Sequence, residues 1–75
     1  GAPSANAVTA PIPGVIVAIA VKEGQSVSTG DELCTLEAMK MKNAIRATRP
    51  GKIGNIKVAI GDHVRHGQVL VELSE

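Results

Sequence analysis

Three kinds of side chain in this sequence could do chemistry beyond packing. The first is an amine: Lys40 stands between Met39 and Met41 in the stretch TLEAMKMKNAI, residues 35–45. The second is the single thiol, Cys34, and the third is a pair of imidazoles, His63 and His66, three positions apart. A solvated lysine amine is protonated near neutral pH and attacks poorly on its own. Its natural chemistry is that of an acceptor, acylated by another enzyme that brings an activated donor. A reactive thiol needs an electropositive, exposed setting, which nothing around Cys34 supplies. The histidines flank a turn with no second ligand cluster near them, so they read as solvated loop residues and no metal site is expected. The glycines do not match the spacing of a phosphate-binding loop.

The elements that must position Lys40 follow from a repeat. Residues 6–37 laid over residues 43–74 align without a gap: Asn6 falls on Asn43, Pro13 and Gly14 on Pro50 and Gly51, Gly24 on Gly61, Leu36 on Leu73. There are 13 identities in 32 positions, a density that marks a duplicated structural unit. The matched residues are turn formers and aliphatics, the two classes that set backbone path and core.

Each half reads as β-structure. NAVTAPI alternates Val8, Ala10 and Ile12, the run VIVAIAVK is rich in β-branched residues, and KIGNIKVAI keeps a period of two through Ile56 and Val58. Val69, Val71 and Leu73 share one face of the last strand, which by the repeat turns Cys34 and Leu36 inward. The repeated glycines are expected to hold turns at positive φ. Four short strands per half cannot bury a core alone, so the halves should pair about a pseudo-twofold axis. The expected fold is all-β, a flattened eight-stranded barrel or sandwich. If Glu37 and Asn43 face each other across a hairpin, the same symmetry brings residues 6 and 74 together, and the N-terminal tether leaves from the end opposite Lys40.

Only residues 38–42, AMKMK, have no counterpart, and Lys40 is their midpoint. Two-residue hairpin turns need positive φ and favour Asn, Asp or Gly, none of which this link contains. The residues are a poor choice for folding, which points to display. Met39 shares parity with Glu37 and should point outward, and Met41 lies at the tip. Exposed methionines make an adaptable contact surface.

Composition narrows the function. At 75 residues the chain is one domain, too small for a multi-domain enzyme. It has no aromatic residue on which bases could stack, and its net charge of +1 comes from scattered basic residues, so nucleic-acid binding and charge-driven membrane attachment are not expected. No apolar run approaches the ~20 residues of a membrane span, and the opening GAPSANAV lacks the order of a secretory signal. A lone cysteine suits a reducing compartment, read as the cytoplasm. With no initiator Met, the chain is expected to be processed or cut from something longer. Residues 1–5 have the composition of the end of a flexible Ala/Pro-rich linker.

Glu37, Ala38, Met39, Lys40 and Met41, with APIPGVI upstream, make a motif that resembles the biotinyl domain of biotin-dependent carboxylases, transcarboxylases and decarboxylases. The resemblance covers residues 6–75. It implies a carboxyl carrier domain, not an enzyme, in the form of a flattened eight-stranded barrel with Lys40 on the hairpin joining its halves. It further implies that biotin protein ligase joins biotin to Lys40 through an amide, with Glu37, Ala38, Met39 and Met41 as the recognition motif. A biotin carboxylase would load the cofactor's ureido nitrogen with CO2, and a carboxyltransferase or decarboxylase would unload it. Lys42 follows the motif where an acidic or neutral residue is more usual, and the gapless repeat leaves no room for the protruding loop of some acetyl-CoA carboxylase carriers. The alternatives are a lipoyl-type acyl carrier, which usually has Asp-Lys-Ala at this place, and an unmodified structural barrel-sandwich module, which leaves the motif unexplained.

Overall fold

A computed structural model describes residues 6–74, so the linker expected over residues 1–5 lies outside the described residues. Eight strands follow in order: β1 (Ala7–Thr9), β2 (Gly14–Ile19), β3 (Ser26–Val27), β4 (Glu32–Ala38), β5 (Met41–Arg46), β6 (Gly51–Ile56), β7 (His63–Val64) and β8 (Val69–Leu73). They form two four-stranded sheets, ordered β1-β8-β6-β3 and β5-β4-β2-β7, with every pairing antiparallel. The fold is all-β, as the repeat requires.

The duplication is structural to the residue. β6 and β7 begin and end 37 positions after β2 and β3. Each sheet takes two strands from each half, so neither half owns a sheet. Backbone bonds cross between halves in matched pairs: Gly24 N donates to Ile53 O at 2.7 Å, and Gly61 N donates to Ile16 O at 2.7 Å. The turns repeat as well. Gln25 Oε1 accepts from Lys22 N at 3.1 Å, and its mate Asp62 Oδ2 accepts from Ala59 N at 2.9 Å. In each case a side chain satisfies a turn N–H that the short strands leave over.

The core obeys the same symmetry. Every buried hydrophobic residue of the first half has its mate buried in the second, from Val8 with Ile45 to Leu36 with Leu73, and Cys34 pairs in this sense with Val71. No polar or charged side chain is buried among the described residues. An aliphatic core of this kind is held by burial alone, and truncating one of its fully enclosed members, such as Leu36, should cost about 2–5 kcal/mol.

Strict alternation fails at matched places. The pairing slips between Glu32 and Cys34 in β4 against β5, and between Val8 and Thr9 in β1 against β8, which leaves Leu33 and Leu70 as extra residues. Both are fully buried next to buried neighbours, Cys34 and Val71, whereas Val69 is only half-buried. A bulge puts two consecutive side chains on one face, and alternation cannot anticipate it. Slips at Val17 and at its mate Gly54 have the same symmetric origin. Two strands also end earlier than the pattern suggests. Ile12 is 39% exposed, because β1 stops at Thr9 ahead of two prolines that cannot donate to a ladder. β6 stops at Ile56, leaving Ile60 outside.

Gly24, Gly30, Gly61 and Gly67 have φ between 84° and 98°, as expected of turn glycines. Gly14 does not. Its backbone is that of a strand, and its missing side chain serves close approach to β4 instead.

Candidate functional site

β4 and β5 form a hairpin whose outermost pair is Ala38 with Met41, so Met39 and Lys40 are the two central residues of its turn. Both are left-handed, with φ of 52° and 66°. These are the values a two-residue I′ turn demands, reached by two residues with a full side chain, at a cost of about 1 kcal/mol or more each. The strain is confined to this place: among the described residues, Met39 and Lys40 are the non-glycine positions with positive φ.

The hairpin outruns the core. Leu36 on β4 and Ile45 on β5 are the last buried residues of the two arms, and beyond them exposure rises to 67% at Met41 and 94% at Met39. Glu37 and Ala38 are half-buried, whereas Lys40 and Lys42 are exposed. Lys40 makes no hydrogen bond or ion pair with any described residue. An amine in this position can be acylated without breaking a contact of the fold, and losing its charge strips no partner.

The sequence-derived site residues fall together. Glu37 lies opposite Lys42, Ala38 opposite Met41, and Met39 and Met41 bracket Lys40 in a bare apolar collar. His63 is in β7 opposite Val15, exposed, and His66 is exposed beyond the strand. No group of three or more His, Cys, Asp or Glu that could hold a metal occurs among the described residues. Cys34 belongs to the core, where burial, and secondarily the Glu32 carboxylate, push its thiol above the usual range and keep it protonated and inert.

Two supporting residues escaped the sequence reading as site residues. Gly14 runs against the β4 arm so closely that a β-carbon there would sit 2.5 Å from the Glu37 carbonyl oxygen. The Asn43 side-chain amide donates to Leu36 O at 3.4 Å and Met41 O at 3.3 Å, joining the two arms below the turn. Each had a visible signal, identity with its repeat mate, but that signal speaks for the framework and is silent on the hairpin.

Residues 6–73 match the family described as biotin-requiring enzyme. The chain belongs to that family. As a biotin carboxyl carrier domain it is a non-catalytic module whose cofactor, biotin, is held covalently. It is 41% identical over 70 residues to the propionyl-CoA carboxylase alpha chain of Homo sapiens, covering 93% of this chain and 10% of that one. It is 40% identical over 73 residues to the biotin carboxyl carrier protein of Streptococcus mutans, covering 97% of this chain and 56% of that one. Among solved structures, a single-chain, multi-domain long-chain acyl-CoA carboxylase contains a region that superposes with a TM-score of 0.84 at 31% identity, covering 95% of this chain and 8% of that one. The carrier domain therefore spans about a tenth of the carboxylase alpha chain it matches.

Proposed function

We propose that Lys40 is the residue on which this carrier domain bears biotin, placed there by biotin protein ligase, and that the domain carries a carboxyl group between a biotin carboxylase and a carboxyltransferase or decarboxylase of its parent enzyme. The observation that carries this reading is the turn itself. A strained pair of left-handed residues, with no role in the core, holds one unpartnered amine at the most exposed end of the hairpin. Proteins retain strain of this kind where function needs the geometry.

The chemistry asked of the chain is small. The Lys40 Nζ lone pair attacks the acyl carbon of an activated donor that the ligase supplies; an amide forms, the donor's leaving group departs, and the displaced proton passes to solvent. Bound biotin supplies a ureido nitrogen able to hold a carboxyl group. The framework keeps the attachment point rigid, and Met39 and Met41 offer a soft apolar contact to each enzyme visited. The hairpin register pairs Asn43 with Leu36 rather than Glu37, and correspondingly Asn6 meets Leu73 rather than Ser74 in the other sheet, Asn6 O accepting from Leu73 N at 2.8 Å, so a tether entering at residue 6 joins the domain at the pseudo-twofold mate of the hairpin. Attachment there leaves the hairpin free to enter active sites, and tethering raises the effective concentration of the carried group at both of them. A reducing compartment such as the cytoplasm is the proposed location. No helix of the described residues is long and apolar enough to cross a membrane.

The test is intact mass after co-expression with biotin protein ligase. The parent chain should gain one biotinyl group, Lys42→Arg should still gain it, and Lys40→Arg should not. A gain that survives Lys40→Arg would place the cofactor elsewhere, a lipoyl mass would change its identity, and no gain in the parent chain would remove the carrier reading of this lysine.

A further inference from the structure

The geometry points to Asn43 as a positioning residue for acylation at Lys40, an inference that rests on the reading of Lys40 given above. Turn chemistry does not hold this hairpin, because both central residues are forced into the left-handed region without the Asn or Gly that would relax there. Packing supports only one arm beyond the core: buried side chains stop at Leu36 and Ile45, β2 still lines Glu37 on β4, and β5 is an edge strand. What holds the β5 arm there is the backbone ladder and one side chain. Asn43 is half-buried among exposed neighbours, and its amide donates to an acceptor on each arm, Leu36 O on β4 and Met41 O on β5. Among the described residues, Asn43 is the one side chain within residues 36–43 that makes a hydrogen bond.

The repeat sharpens the point. Asn6 is the same residue type at the symmetry-equivalent position, and there its side-chain oxygen accepts from Arg49. In the second half this asparagine stands beside a strained turn, and its amide reaches the facing arm there. Its amide holds the turn in the conformation that extends Lys40. Without it the turn populates relaxed alternatives in which the amine is misdirected, and the ligase meets the competent conformer less often. A fall in the competent fraction raises the apparent KM by the inverse of that fraction and leaves turnover at saturation unchanged.

The experiment is steady-state biotinylation of the full chain by biotin protein ligase, comparing the parent with Asn43→Ala and Asn43→Thr. Threonine suits a strand and guards against a merely unstable variant, but its single hydroxyl donor cannot replace both amide bonds. Both variants should show KM for the domain raised about threefold to tenfold, the range set by losing one net hydrogen bond, with kcat within about twofold. Amide exchange at Lys40 and Met41 should quicken in step while the core amides stay protected. Unchanged KM in both variants, or a loss confined to kcat, would overturn the role of Asn43. Failure of the parent chain to be biotinylated at all would instead overturn the reading of Lys40.

Discussion

Gly14 lies against Glu37 at a distance no larger residue could keep: a β-carbon at position 14 would stand 2.5 Å from the Glu37 carbonyl oxygen and 2.9 Å from Leu36 Cδ1. The obstacle is partly backbone, so it cannot swing aside. Gly14→Ala should destabilise the domain by about 1–3 kcal/mol through overpacking. Gly24, at φ 90° with open space around it, should lose about 1–2 kcal/mol on Gly24→Ala for backbone reasons alone. Asparagine separates the two mechanisms in urea denaturation, because it tolerates the left-handed region and should recover part of the loss at position 24 and none at position 14.

Relief of the turn should be measurable without touching the amine. Met39→Asn replaces a residue held at φ 52° by one that accepts that conformation, and should stabilise the fold by about 0.5–1 kcal/mol. A rise in the denaturation midpoint at unchanged m-value is the expected result. A fall would mean that the Met39 side chain, 94% exposed, contributes contacts worth more than the strain.

Cys34 makes stability fall on the alkaline side. Its folded-state pKa is raised by burial and by Glu32, so in alkaline solution the unfolded chain ionises the thiol before the folded chain does. The folded state then holds more protons than the unfolded one, and stability is lost as pH climbs past about 8.5, the ordinary thiol value. Below that pH the contribution is fully present. Thermal unfolding across pH 7–10 checks this, and Cys34→Val, which copies the mate Val71, should flatten the alkaline limb.

Neither half should fold alone. β1 pairs with β8, β3 with β6 and β7 with β2, so cutting the chain at the Lys40 turn deprives each fragment of partners from the other. Peptides covering residues 6–37 and 38–74 should each lack a β-sheet signal in circular dichroism and gain one on mixing, in a concentration-dependent way. A folded single half would contradict the interleaved sheets.

What the sequence determined by itself was the duplication and everything that follows from local chemistry. The matched prolines, glycines and aliphatics identified the halves, the turn glycines and the inward Leu36, and the unmatched residues 38–42 singled out Lys40 by leaving it with no structural task. Tertiary structure decided the rest. The bulges at Leu33 and Leu70 depend on two strands paired with one slip, Ile12 was left outside by the end of a ladder, and the close fit of Gly14 on Glu37 exists only once β2 lies beside β4. The left-handed pair at Met39 and Lys40 belongs to the same class, since no local preference of methionine or lysine favours it. Periodicity and turn propensity are properties of neighbours along the chain, whereas register and strain are settled between segments far apart in it, where the closing of two sheets over one core outweighs what any single residue would choose.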